Sequence, residues 1–216
     1  MSQVTEAELI AASQKGDVRA FNQLVVSYER VVYNLAYRMV GDPDLAADIA
    51  QDTFTSAFRA IGSFRGGSFK SWVLRIAANA CHDHYRRQKR RPVDSLDALQ
   101  ESSGCGTVLI DHSDGPEEAA LRREMVEYIN KGLVALPEEQ RLVVILADVQ
   151  GLSYDEIAEV TRSSLGTVKS RLSRGRAHLR DFLLRQRELL PLRLRPKTED
   201  ESRLVDADIG SGGMCP

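Results

Sequence analysis

The chain has 216 residues, enough for one larger or two small domains, and 43% hydrophobic content with only 6% aromatics points to helices. No apolar run approaches the ~20 residues that span a bilayer, and Met1 to Gly16 lacks the basic start and apolar core of a secretion signal, so a cytoplasmic chain is expected. The three cysteines, at 81, 105 and 215, are odd in number and far apart, which builds neither a disulfide framework nor a zinc spacing.

Periodic apolar positions predict helices over 6–14, 18–40, 45–60 and 69–90. Gly41-Asp42-Pro43 reads as a stop followed by a start, with Gly41 ending one helix and Pro43 opening the next behind an Asp42 cap. Along the third helix Asp44, Asp48, Gln51, Asp52 and Thr55 share one broad face at spacings of three and four, leaving Leu45, Ile49 and Phe58 for packing. Asp44 suits the helix dipole, whereas Asp48 and Asp52 lie deeper and suit a polar docking face for a protein partner. Next comes Gly62-Ser-Phe-Arg-Gly-Gly-Ser-Phe69, a flexible loop with two aromatics, and then a helix carrying Trp72, Arg75, Asn79, Tyr85 and the basic run Arg86, Arg87, Lys89, Arg90 and Arg91. Rings beside cations fit single-stranded or melted DNA, since any base can stack while the cations hold phosphates. The competing reading is that Phe64, Phe69 and Trp72 are core residues beneath a loop. Cys81, His82 and His84 offer one helical face at most two soft ligands, so no metal site is expected.

Between Pro92 and Pro116 the pattern gives way to Ser, Gly and Asp, a composition that cannot bury a core, and a linker is predicted over 92–116. A run at 107–110 within it is the one strand-like feature. Helices resume over 117–135, 137–149, 153–161 and 165–190, and an acidic, disordered tail is expected over 191–216. Ser153 and Glu156 form a Ser-x-x-Glu capping box, with Leu152 and Ile157 at the staple positions. The turn at Arg162 to Ser164 must end this short helix. In the following helix Leu165, Val168, Leu172 and Leu179 make one stripe, and Gly175 falls on the same side, where a missing side chain lets another backbone come close. From Arg162 to Arg187 there are eight Arg or Lys against the single acid Asp181, in a chain of net charge −2 overall. A capped helix, a polar turn and a basic helix is how a chain presents one helix to the major groove, although a solvated helical hairpin is the plainer alternative. No phosphate-binding loop, nucleophile elbow or carboxylate pair is present, so neither catalysis nor a cofactor is expected.

Several ordered motifs together resemble the sigma-70 superfamily: Asp44-Leu-Ala-Ala-Asp-Ile-Ala-Gln-Asp-Thr-Phe54, Phe64-Arg-Gly with Trp72-Val-Leu-Arg-Ile-Ala-Ala-Asn79, Leu136-Pro-Glu-Glu-Gln-Arg141, Gly151-Leu-Ser-Tyr-Asp-Glu-Ile-Ala158 and Gly166-Thr-Val-Lys-Ser-Arg-Leu172. The size, with only regions 2 and 4, is similar to the extracytoplasmic-function (ECF) group of RNA polymerase sigma factors. The resemblance implies an all-α fold with region 2 over 1–91 and region 4 over 117–190. It further implies that Asp48, Gln51, Asp52 and Phe54 dock on the clamp of the largest subunit of core RNA polymerase, with the flap of the second-largest subunit as a further contact. Phe64, Arg65, Ser68, Phe69, Trp72 and Asn79, with Arg86 and Arg87, would meet the -10 element, and Arg141, Tyr154, Lys169, Ser170, Ser173, Arg174 and Arg176 the -35 element. Promoter DNA and a separate anti-sigma factor are the other partners implied. Asp83, on the same face as Asn79, departs from what phosphates favour. Two rival readings are a free-standing helix-turn-helix regulator, which leaves the N-terminal loop and acidic face idle, and a sigma mimic that titrates an anti-sigma factor, which has no need of a basic recognition helix.

Overall fold

The computed structural model describes residues 4–90 and 116–185, and among these all regular structure is helical. In chain order the elements are α1 (Glu6–Gln14), α2 (Val18–Val40), α3 (Pro43–Ala60), a 3₁₀ turn (Ile61–Ser63), α4 (Phe69–Arg90), α5 (Pro116–Val134), α6 (Glu138–Val144) with a π-helical turn (Ile145–Val149), α7 (Tyr154–Thr161) and α8 (Leu165–Arg185). The strand-like run, the acidic tail and all of the predicted linker except Pro116, which opens α5, lie outside the described residues.

Local chemistry sets the helix ends. Thr5 and Glu8 form a capping box at the start of α1, and the Asp17 carboxylate accepts from the Arg19 and Ala20 amides to start α2. Gly41, at φ 79°, ends α2 in the left-handed conformation that a side chain disfavours. Asp42 then accepts from the Leu45 amide with Pro43 in the first turn, so α3 opens at Pro43 behind the Asp42 cap, as Gly41-Asp42-Pro43 predicts, ahead of the apolar periodicity that begins at 45. The 3₁₀ turn and the π-helical turn carry no distinguishing sequence pattern and are findings of the structure alone.

In the N-terminal half α2, α3 and α4 pack together around Val32, Leu35, Ala36, Met39, Ile49, Val73, Leu74 and Ala77, with α1 laid against α2. The buried hydroxyls of Ser13 and Thr53 donate back to the Leu9 and Ile49 carbonyls within their own helices, so burial leaves neither unsatisfied. In the C-terminal half α6, α7 and α8 surround Val143, Ile145, Leu146, Ile157, Val168 and Leu172. Gly175 lies where α8 crosses α6: a Cβ there would stand 2.7 Å from Val144 Cγ2 and 3.3 Å from the Gln140 carbonyl oxygen.

The two halves also pack on each other, chiefly through α4 against α7 and through α2 against α5 and α6. Arg141 is the link between them. Its guanidinium is buried and donates to the carbonyls of Met39, Val134 and Leu136 and to the Tyr85 hydroxyl, which itself donates to Met39. Around this centre Lys70 Nζ donates to the Gln150 carbonyl at 2.6 Å, Gln150 Nε2 to the Val31 carbonyl at 3.2 Å, and Ser71 Oγ to Glu156 Oε1 at 2.8 Å. His82 faces Glu138 at the rim.

Candidate nucleic-acid interface

The helix-turn-helix is α7, the turn at 162–164 and α8. Ser153 Oγ accepts from the Glu156 amide while the Glu156 carboxylate accepts from the Ser153 amide at 2.9 Å, closing the expected box. Those bonds, with the one from Ser71, hold the Glu156 carboxyl below its usual range, since each favours the ionised form. Leu152 and Ile157 are both buried, as staple partners should be. Arg162 adopts φ 50°, the one left-handed non-glycine residue among those described, and this reverses the chain in a tight turn. Ser164 then receives the Thr167 amide at 3.1 Å and starts α8.

With Val168, Leu172 and Gly175 turned inward, α8 exposes Lys169, Ser170, Ser173, Arg174 and Arg176. Tyr154, Lys169, Ser173, Arg176 and Arg180 line one shallow groove. Arg176 is held there by Asp148, which accepts from Nε at 3.1 Å and Nη2 at 2.5 Å, and these bonds raise its already high pKa. Arg171 is taken up by Ser163 and Glu139 instead. Among the described residues of α8 the outward side chains therefore suit a polyanion, with one arginine pre-oriented and Arg174 exposed.

Arg141 does not belong to this surface, which corrects the expectation that it faces the -35 element. It is 6% exposed on α6, and its Nη1 and Nη2 groups donate to carbonyls and a tyrosine hydroxyl at the inter-half contact.

The acidic face of α3 is present as the spacing predicts. Asp48, Gln51 and Asp52 are exposed on it, while Phe54 is partly buried against the core.

In the 62–69 loop the aromatics are placed otherwise than a stacking surface requires. Phe64, Phe69 and Trp72 are 8%, 2% and 8% exposed and pack on one another with ring centroids 5.4 to 5.7 Å apart, and the Tyr28 ring lies tilted against Phe69 at 5.2 Å. Edge and tilted contacts of this kind satisfy the rings internally, so the three form the floor of the loop rather than open platforms. Gln14 Nε2 fixes that floor by donating to the Phe64 and Ile61 carbonyls. The polar candidates stay outside: Arg65, Ser68, Asn79, Arg86 and Arg87 are exposed, and Gly66 and Gly67, at φ 98° and 86°, make the turn that carries Arg65 and Ser68. Asp83 pairs with Arg86 at 3.1 Å, which neutralises the acid that stood against a phosphate path. Cys81 is fully buried, and burial pushes its thiol up to about 12, while His82 turns to Glu138, so the Cys-His-x-His cluster does not converge.

Comparison with known proteins agrees with this arrangement. Sigma-70 region 2 matches residues 24–91 and Sigma-70 region 4 matches residues 127–179. The RNA polymerase sigma-H factor of Pseudomonas aeruginosa is 38% identical over 178 residues, covering 82% of this chain and 92% of the relative. The ECF RNA polymerase sigma-E factor of Escherichia coli K12 is 40% identical over 177 residues, 81% of this chain and 92% of that one. Among solved structures, the sigma factor RpoE in complex with the anti-sigma factor NepR from Bartonella quintana aligns with a TM-score of 0.62 at 27% identity, over 77% of this chain and 98% of that one. CnrH in complex with the cytosolic domain of CnrY aligns at 0.57 with 29% identity, over 81% and 94%. A capped helix-turn-helix with an outward basic face, joined in one chain to a helical bundle with an acidic third helix, thus has both family regions in order, and the chain belongs to the sigma-70 superfamily, as a DNA-binding sigma factor of the extracytoplasmic-function group.

Proposed function

We propose that this chain is a promoter-specificity subunit that binds core RNA polymerase, reads two promoter elements and helps to open the DNA between them. The observation that carries the reading is the division of surface charge: an acidic, exposed α3 face in one half and a basic, exposed α8 face in the other. In this reading Asp48, Gln51 and Asp52 meet the clamp of the largest polymerase subunit, with Phe54 supporting them from the core, and region 4 reaches the flap of the second-largest. Tyr154, Lys169, Ser170, Ser173, Arg174 and Arg176 read the -35 element as duplex. Arg65, Ser68, Asn79, Arg86 and Arg87 hold the displaced -10 strand over the floor made by Phe64, Phe69 and Trp72. Melting is driven by binding, because capture of an extruded base offsets the few kcal/mol of unstacking. The factor performs no covalent chemistry, and the polymerase makes the RNA. Among the described residues no helix is long and apolar enough to cross a membrane. The RpoE relative in complex with an anti-sigma factor supports a separate protein regulator here.

Run-off transcription with purified core polymerase and a randomised promoter library tests the whole reading. Asp48→Lys with Asp52→Lys should weaken assembly with core while helicity is kept, since exposed substitutions change stability little. Arg174→Ala should leave assembly intact and cost about 1 to 3 kcal/mol of promoter binding at fixed salt. A chain that assembles with no core polymerase but binds duplex DNA alone would make it a free-standing regulator instead.

A further inference from the structure

The loop that carries Arg65 and Ser68 is gripped by α1, a helix lying ahead of the residues that match Sigma-70 region 2. We infer that α1 is a brace for this loop, with Gln14 as a positioning residue for the -10 element and Glu6 as a second grip acting through Tyr28. The inference rests on the -10 assignment of Arg65 and Ser68 proposed above and adds what aims them.

The tip of the loop cannot aim itself. Gly66 and Gly67 take φ 98° and 86°, and a Cβ on either would meet nothing within 4 Å, so the tip depends on how its two ends are held. At the incoming end Gln14 Nε2 donates to the Phe64 carbonyl at 2.9 Å and to the Ile61 carbonyl at 3.3 Å. The Phe64 carbonyl shares a peptide plane with the Arg65 amide. Because that plane is rigid, a bond on its carbonyl side fixes the direction in which Arg65 leaves the floor. At the outgoing end Ser68 Oγ accepts from the Ser71 amide at 3.2 Å, and the Tyr28 ring lies against Phe69 while its hydroxyl donates to Glu6. Glu6 and Gln14 stand about 12 Å apart along α1, so one short helix reaches both ends of the loop.

The brace is itself fixed. The Thr5 and Glu8 box closes the start of α1, and at its end the Lys15 and Asp17 amides bond back to the Ala12 carbonyl. Ile10 and Ser13 are buried and seat the helix on α2. Gln14, by contrast, is exposed, and its bonds reach 47 and 50 positions along the chain to a loop rather than to the core. An exposed side chain of this kind adds little to global stability, so the effect of its bonds is local. A loop already held in place has less ordering left to undergo when a displaced strand binds.

The experiment exchanges the donor. Gln14→Met keeps the length of the side chain without a donor, and Gln14→Glu keeps its shape but sets a carboxylate against two carbonyls. Gln14→Lys keeps a donor, and a cation suits the last turn of a helix. Tyr28→Phe releases Glu6 while leaving the ring on Phe69. Trypsin acting on the full chain reads the loop directly: cleavage after Arg65, followed by mass spectrometry, is compared with cleavage after Arg86 on α4. Function is read as open-complex formation by the holoenzyme on a promoter drawn from the randomised library, and on the same promoter with single -10 bases changed. Gln14→Met and Gln14→Glu should speed cleavage after Arg65 and lower opening by about fivefold, within the roughly two- to tenfold that one net hydrogen bond is worth, and should narrow discrimination among -10 bases. Gln14→Lys should restore all three, and Tyr28→Phe should act in the same direction as the loss. Core assembly and duplex -35 binding should stay as in wild type. Unchanged cleavage after Arg65 in Gln14→Met and Gln14→Glu overturns the brace. Faster cleavage with unchanged opening and discrimination overturns the positioning role. Equal loss in Gln14→Lys, or faster cleavage after Arg86 as well, makes Gln14 a residue of general stability and overturns it too, and an unchanged Tyr28→Phe overturns the second grip. The -10 assignment is read separately: if Arg65→Ala opens and discriminates as wild type does, that assignment fails, while cleavage in the Gln14 variants still decides the brace.

Discussion

Gly175 offers a test of the packing that sets the recognition helix. A methyl group there would sit 2.7 Å from Val144 Cγ2, closer than real Cβ contacts allow, and 3.3 and 3.4 Å from the Gln140 carbonyl oxygen and Cβ. Val144 is 2% exposed and β-branched, so it has no flexible end to swing aside, and Gln140 presents backbone. Overpacking of this kind costs about 1 to 3 kcal/mol, against which the helical preference of Ala over Gly returns up to about 1 kcal/mol. Gly175→Ala should therefore destabilise by up to about 2 kcal/mol after that return. Gly166, in the first turn of the same helix, is the control, because its nearest neighbour is Ser164 Oγ at 3.8 Å, an ordinary contact. Gly166→Ala should be neutral to stabilising by up to about 1 kcal/mol. Thermal scans should separate the pair by several degrees, at roughly 2 to 4 °C per kcal/mol for a chain of this size, and urea midpoints should part with unchanged slope. A Gly175→Ala protein as stable as Gly166→Ala would refute the close approach of α8 to α6. In the same variant, duplex binding should weaken, because α8 must tilt away from the groove it shares with Tyr154.

Ser153→Ala should cost about 1 kcal/mol by removing the α7 cap, measured by urea unfolding. The folded pKa of Glu156 lies below its unfolded value, so its stabilisation is present above the usual carboxylate range and is lost as pH falls through the folded pKa; stability of the wild type should drop over that acid window, and Ser153→Ala should flatten the drop. Leu172→Ala, at 2% exposure under α8, should cost about 2 to 5 kcal/mol and abolish a cooperative transition before it affects any surface contact. Cys81, buried and with its thiol raised to about 12, should resist iodoacetamide at pH 8 in the native protein and be modified on unfolding, read by peptide mass spectrometry; modification of the folded chain at the rate of a free thiol would contradict its burial.

The helices were legible because their signals are local. Asp42 before Pro43, the Ser153 to Glu156 box and the Val168, Leu172 stripe each act within a turn or two, and the structure realises them at the residues that carry them, whereas Leu165, expected on the same stripe, is exposed at the start of α8. Gly175 was readable for the same reason: its place on a buried stripe leaves few reasons for a missing side chain. Arg141 was not. Its partner Met39 lies 102 positions away, and a guanidinium that ends on carbonyls leaves no periodic trace, so the family resemblance alone assigns Arg141 a role, on the -35 element. The ring cluster failed differently, since Phe64, Phe69 and Trp72 fit a stacking surface and a core floor equally well, and only packing with Tyr28 and the grip of Gln14 on the loop decide between them. The packing of the C-terminal half on α4 includes polar pairs 80 and 85 positions apart, Lys70 with Gln150 and Ser71 with Glu156, which no window of sequence joins.

The π-helical turn at Ile145–Val149 acts as a phase shifter. There the Gln150 amide bonds to the Ile145 carbonyl at 3.0 Å, five residues back, so the winding loosens over one turn. The loosened turn sets the azimuth of its own last residues and of the residue after it: Asp148 meets Arg176 on the DNA side, and Gln150 meets Val31 and Lys70 on the other. Wound as an ordinary α-helix at about 100° per residue, the same five residues would turn further and carry Asp148 and Gln150 to other azimuths. Both couplings would then disengage together, the arginine losing its guide and the two halves losing a fastener. The winding of a turn that holds no proposed contact residue of region 2 thereby decides how that region is held.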